Sequence, residues 1–164
     1  MIRHVGWALG FFCGCGLGSP EHHYGEGTIS GTLEGMELET DHGVSIARSF
    51  PPMTEVKVSP GGLECEFVQS GDRLTFDFGA QTTGQYTVVV GYPSMAGLSA
   101  AQARAHVCPA KHGDDEAPCH NQVRSGTLSI TRYDTSPGGR VEGSYHVVLA
   151  DGELSGTFSA YRCD

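Results

Sequence analysis

Apolar and polar residues alternate at a period of two along much of this chain, and the pattern is clearest near its C-terminal end. Arg-Val-Glu-Gly-Ser-Tyr-His-Val-Val-Leu and Glu-Leu-Ser-Gly-Thr-Phe-Ser-Ala-Tyr-Arg-Cys are two strand-forming runs that flank Asp151-Gly152. An Asp-Gly pair between such runs predicts a two-residue hairpin, because both central positions need positive φ, which Asp tolerates and Gly adopts freely. That turn sets an expected register with Leu149 facing Leu154, Val147 facing Gly156 and Tyr145 facing Phe158. All six then share one apolar face, and Glu142, Ser144, His146, Thr157 and Ser159 share the polar one. Gly156 is expected to make room for the two aromatic rings. An earlier strand over 127–133 adds Leu128 and Ile130, and 134–139 forms a longer turn.

The same reading extends upstream. Residues 28–39 predict two short strand pieces joined by a bend, with Gly31 and Gly35 as breaks. Asp41-His42-Gly43 predicts a turn, followed by strands over 44–48 and 54–59, the second with Val56 and Val58 on one face. Residues 60–71 are ambiguous between strand and helix, and a short helical turn is favoured there. Leu74, Phe76 and Phe78 point inward from the next strand, and Val88-Val89-Val90 suggests a strand buried on both faces. Residues 100–107 pose a conflict. Helix propensity and a Ser99/Gln102 capping pattern favour a helix, whereas Ala101, Ala103, Ala105 and Val107 alternate with Gln102, Arg104 and His106. The alternation is preferred, giving a strand with a small-residue face.

These elements predict an all-β fold: an antiparallel β-sandwich of about seven to nine strands with at most one short helix. The 24 glycines agree with short strands and many turns. Residues 28–164 form the expected domain. Upstream, Arg3 and the apolar run 5–12 resemble a signal peptide over 1–14. Gly14-Cys15 resembles a bacterial lipobox, with Cys15 the lipid-bearing residue and Phe12 a departure from the usual Leu. An ordinary secretory signal is the alternative. Residues 15–27 read as a flexible tether. Gly16 after Cys15 resembles the outer-membrane sorting pattern, so the expected location is the cell envelope, with a secreted or periplasmic protein as the alternative.

Charge narrows the partners. With 10 Lys plus Arg and a formal net charge of −9, the chain lacks the surplus cations that bind nucleic acid by displacing phosphate counterions. Within the expected domain lie Cys65, Cys108, Cys119 and Cys163. Export makes two disulfides the expectation, and four cysteines allow three pairings. Cys108 and Cys119 are close in sequence; pairing them leaves Cys65 with Cys163.

The order of motifs resembles a family of uncharacterised bacterial secreted proteins, many with lipoprotein signals. The matching features are the glycines of 27–35, Cys65, Gly84-Gln85-Tyr86-Thr87-Val88, and residues 125–131, 138–145 and 151–163. The resemblance implies a β-sandwich-like domain, supports the Cys65–Cys163 pairing and a strand over 100–107, and brings no activity with it.

Catalytic signatures are sparse. No nucleophile elbow, phosphate loop, dinucleotide fingerprint or His-Glu-x-x-His motif occurs in the sequence. The one unusual patch is His112, Asp114, Asp115 and Glu116, in the loop between Cys108 and Cys119. Three close carboxylates could ligate a hard cation such as Ca²⁺, although the EF-hand arrangement is missing and a solvated acidic loop is the simpler reading. The sequence therefore predicts a non-enzymatic envelope or surface lipoprotein with no cofactor and no assigned metal. It would be held at the membrane by its lipid and would meet an unknown envelope protein or cation. A Ca²⁺-binding module is the alternative function, and a hydrolase on a sandwich the third.

Overall fold

The computed structural model describes residues 25–50, 53–60, 73–79, 82–90, 97–108, 123–136 and 138–163, with Phe50 and Cys108 described by backbone alone. Nine strands run in chain order as β1 Gly25–Leu33, β2 Met36–Phe50, β3 Met53–Ser59, β4 Arg73–Phe78, β5 Gly84–Val89, β6 Gln102–Cys108, β7 Val123–Tyr133, β8 Arg140–Leu149 and β9 Gly152–Cys163. They close into one barrel in the spatial order β1-β2-β3-β4-β6-β5-β7-β8-β9, and β9 returns to pair with β1. The expected β-sandwich is thus corrected to a closed barrel. Its all-β character stands, and no α-helix occurs among the described residues. Alternation alone does not distinguish the two architectures, because each buries one face of every strand. Most neighbours are antiparallel, but β5 and β6 run parallel, joined by a crossover over 90–101. Residues 65 and 119 lie outside the described residues, so the expected two disulfides are not seen there. The one cysteine side chain described, Cys163, is disulfide-bonded.

Closure depends on glycine. At β1–β9 the backbones approach so closely that a Cβ on Gly25 would lie 1.8 Å from the Ser159 carbonyl oxygen, and one on Gly156 would lie 2.0 Å from that of Thr28. The stretch read as tether therefore contributes its last three residues, Gly25–Gly27, to a strand. Where β1 starts, its two neighbours meet each other: Ile46, Ala47 and Arg48 of β2 pair in parallel with Tyr161, Arg162 and Cys163 of β9.

Other expectations shift in detail. The Asp41-His42-Gly43 turn is not formed; β2 runs through it, pairing Gly43 with Gly27. Val90 is exposed rather than buried. In the C-terminal hairpin the inward face is as expected, but the partners are displaced by two: Leu149 faces Gly152, Val147 faces Leu154 and Tyr145 faces Gly156. Gly152 opens β9 instead of completing the loop. Its φ of 153° lets it pass Thr32 of β1, whose carbonyl oxygen a Cβ would approach to 2.2 Å. The displacement is even, so no side chain changes face.

The barrel interior is filled. Phe76 and Phe78 of β4 stand opposite Ala105 and Ala103 of β6, so the small-residue face noted in the sequence receives the largest rings of the neighbouring strand. Phe76 lies 5.2 Å from Tyr145 and Phe78 5.1 Å from Tyr86 between ring centroids. The Tyr145 hydroxyl passes over Gly156 and donates to the Thr28 carbonyl at 2.9 Å, satisfying the one polar atom of a buried ring. At one end, Thr54 and Tyr133 join hydroxyls across the barrel at 2.5 Å. At the other, Ile29, Leu33, Leu38 and Leu154, with Arg73 and Leu74 at the start of β4, border an apolar pocket with about 20 Å³ of free space, enough for one water-sized group. The capping pattern at Ser99 closes a turn instead of a helix: Ser99 N–H donates to Gln102 Oε1, and Gln102 N–H to the Ser99 carbonyl, both at 3.0 Å.

If close approach at Gly156 holds the seam, Gly156→Val should destabilise the protein by about 3 kcal/mol, near the upper end for single substitutions. Urea unfolding measures this directly; a loss below about 0.5 kcal/mol, the surface-substitution level, would contradict the packing described.

Candidate functional site

An ordinary barrel exterior is solvated, and here β5, β7, β8 and β9 conform, presenting exposed Thr87, Thr127, Ser144 and Thr157. The exterior of β3, β4 and β6 differs. Their inward residues are Val56, Val58, Leu74, Phe76, Phe78, Ala103, Ala105 and Val107. The intervening positions must face outward, yet Lys57, Thr75 and Asp77 are buried there. Register aligns these residues in rungs: Glu55, Asp77 and Arg104 form one, and Lys57, Thr75 and His106 the next. Arg73 precedes Thr75 by two residues on the same face of β4. Buried charge is costly unless paired.

Two pairs supply most of that compensation. Arg104 donates to Asp77 Oδ2 from Nε at 3.0 Å and from Nη2 at 2.7 Å. Lys57 Nζ lies 2.7 Å from Glu55 Oε1. His106 Nδ1 stands 3.9 Å from Asp77 Oδ2, too far for a hydrogen bond. Of the four buried side-chain polar atoms without a hydrogen-bond partner among the described residues, three belong to this strip: Arg73 Nε, Thr75 Oγ1 and His106 Nδ1.

Thr, His and Asp are the side-chain types of a nucleophile, base and orienting carboxylate, but they are not connected as a relay here. The Asp77 oxygen nearest His106 is already held twice by Arg104, and Thr75 Oγ1 bonds to neither. What the strip offers is a set of donors in a poorly solvated setting. Burial pulls the His106 imidazole below its usual range, against the opposing attraction of Asp77 and Glu55 and with the repulsion of Arg104 and Arg73.

A second exterior feature adjoins the strip. Ile46 and Cys163 are buried together on the outside of β2 and β9, with Val44 and Tyr161 packed against them. Cys163 is disulfide-bonded. It pairs with Arg48, whose row continues through Glu55 and Asp77 to Arg104.

The remaining residues singled out in the sequence, Cys15, Cys65, His112, Asp114, Asp115, Glu116 and Cys119, lie outside the described residues. Cys108 ends β6 beside Arg73. Among the described residues no group of three or more His, Cys, Asp or Glu side chains is arranged to hold a metal ion. Comparison with family models, curated proteins and solved structures returns no match for this chain.

The strip was half visible beforehand. Arg104 and His106 alternate with the small-residue face, Lys57 with Val56 and Val58, and Asp77 with Phe76 and Phe78. Their meeting depends on β6 lying beside β4, which no local pattern encodes.

The lowered His106 pKa has a definite sign. The unfolded imidazole takes up a proton near 6.5, and the folded one only at lower pH. Stability from this group is complete above about 6.5 and declines as pH falls from there through the folded value. His106→Gln should remove that part of the pH dependence. Urea midpoints across pH 7.5 to 5 for both proteins check it; a variant with the same acid slope as the parent would contradict it.

Proposed function

We propose that this chain is a non-enzymatic, exported domain of the bacterial cell envelope, lipid-anchored through Cys15, that meets its partner on the barrel exterior. The observation that carries the exterior assignment is the filled interior. Its rings and aliphatic side chains leave about 20 Å³ in the pocket at one end, far below the roughly 300 Å³ of small-molecule pockets. The barrel also differs in polarity from one that spans a membrane: hydroxyl-bearing residues face outward and apolar ones inward, the reverse of a lipid-facing band. A domain of this kind held beside a membrane by an acyl chain is consistent with that polarity. A disulfide at Cys163 suits an oxidising compartment.

Export and anchoring are tested in a Gram-negative host expressing the full chain. The expected result is a protein in the membrane fraction whose intact mass begins at Cys15 and includes acyl chains, with Cys15→Ser released to the soluble fraction. An unmodified N-terminus downstream of Cys15, or a variant that fractionates like the parent, would overturn the lipoprotein reading.

A further inference from the structure

We propose that Arg73, Thr75 and His106, on the exterior of β4 and β6, form a seat for a small carboxylate. The inference rests on reading the barrel exterior as the binding surface and assigns that surface a ligand chemistry.

Position comes first. Thr75 and His106 are direct cross-strand partners, and Arg73 is two residues before Thr75 on the same face. Such neighbours lie within about 5 to 8 Å of one another. Each carries a buried side-chain atom without a hydrogen-bond partner, and Thr75 is fully buried. Buried polar atoms in folded proteins are almost always satisfied, so three unsatisfied ones on one strip call for a common explanation.

Chemistry then selects the ligand. Arg73 Nε–H can only donate, the Thr75 hydroxyl can donate, and His106 Nδ1 donates in one neutral tautomer and in the imidazolium. An acceptor-rich group fits all three. Charge sets its valence. The groups facing His106 and Thr75 are Glu55 and Lys57 from β3, Arg73 and Asp77 from β4, and Arg104 from β6 itself. Lys57 pairs with Glu55 and Arg104 with Asp77. Arg73 is the cation left over in this set, so a monoanion balances it, whereas a dianion such as sulfate would overshoot. A halide matches the charge but lacks two separated acceptor atoms. A carboxylate supplies one negative charge and two oxygens, with about four acceptor sites. Burial of Thr75 restricts the ligand to a compact one.

The test uses the purified full chain and sodium acetate as the probe, with sodium chloride and sodium sulfate at equal ionic strength as comparators. Calorimetric titration and thermal melts at pH 7 should show saturable acetate binding and a rise in Tm of several degrees that chloride and sulfate do not reproduce. Affinity should increase as pH falls from 7.5 to 5.5, because the imidazolium adds a donor and a charge. Arg73→Gln and Thr75→Val should each weaken binding at least tenfold. Thr75→Ser, which keeps the hydroxyl, and Arg132→Gln, on β7 two strands away from β6, should retain it. Should Arg73→Gln or Thr75→Val fail to fold, the His106 ring resonances of the parent chain decide the matter by shifting with acetate and not with chloride. The proposal is overturned if acetate acts no differently from chloride, if sulfate binds equally well, or if both strip variants bind acetate like the parent. No membrane is present in these measurements, so loss of the carboxylate seat and loss of the envelope assignment are separate outcomes.

Discussion

The fold depends on the seam where β9 meets β1. Nine strands form a barrel only if the last reaches the first, and here the backbones come so close that Gly25, Gly31 and Gly156 leave no room for a Cβ. Gly31 would bring one to 2.0 Å from the Glu153 carbonyl oxygen, and its φ of 142° also favours glycine. Closure removes both sheet edges and with them the unpaired backbone groups that would template aggregation. It also makes the interior a single shared core, in which Tyr145 from β8 touches Phe76 from β4 across the barrel.

From the filled interior follows the importance of the exterior. Over most of the barrel it is a solvated, hydroxyl-rich surface with modest ion pairs such as Arg132–Glu142, of the exposed kind worth about 0–1 kcal/mol. Over β3, β4 and β6 it is buried and charged. Replacing such pairs with apolar side chains is often neutral or stabilising, so the strip is poorly explained by stability alone. A role in recognising an anion gives its partnerless donors a use and places that use on the exterior of β4 and β6 rather than in the core.

Local patterns in the sequence expose much of the fold and little of its arrangement. The strand expected over 100–107 was legible from Gln102 on because alternation outweighed helix propensity, although Ala100 and Ala101 form an exposed turn, and the large-against-small packing of Phe76 and Phe78 on Ala105 and Ala103 explains why those two alanines are there. Faces were legible where register was not: Tyr145 and Phe158 point inward as expected, but Tyr145 sits over Gly156. Glycine misled in both directions. Gly43 suggested a turn and Gly25 and Gly27 a tether, whereas all three lie in strands, Gly25 and Gly43 where backbones approach and Gly27 against the Val58 side chain. A residue chosen for lack of a side chain looks the same in a loop and at a close contact. The candidate site was hidden for a topological reason: β5 intervenes in sequence between the two strands, β4 and β6, that carry it.

The central claim, a closed barrel, is tested most directly at the seam by NMR of the labelled chain. Closure predicts interstrand backbone NOEs linking Gly27 to Phe158 and Gly31 to Leu154, together with slow amide exchange along both hydrogen-bonding edges of β1. An open sandwich, with β1 and β9 as separate edges, would lack those NOEs, and the β1 amides directed away from β2 would exchange rapidly with solvent.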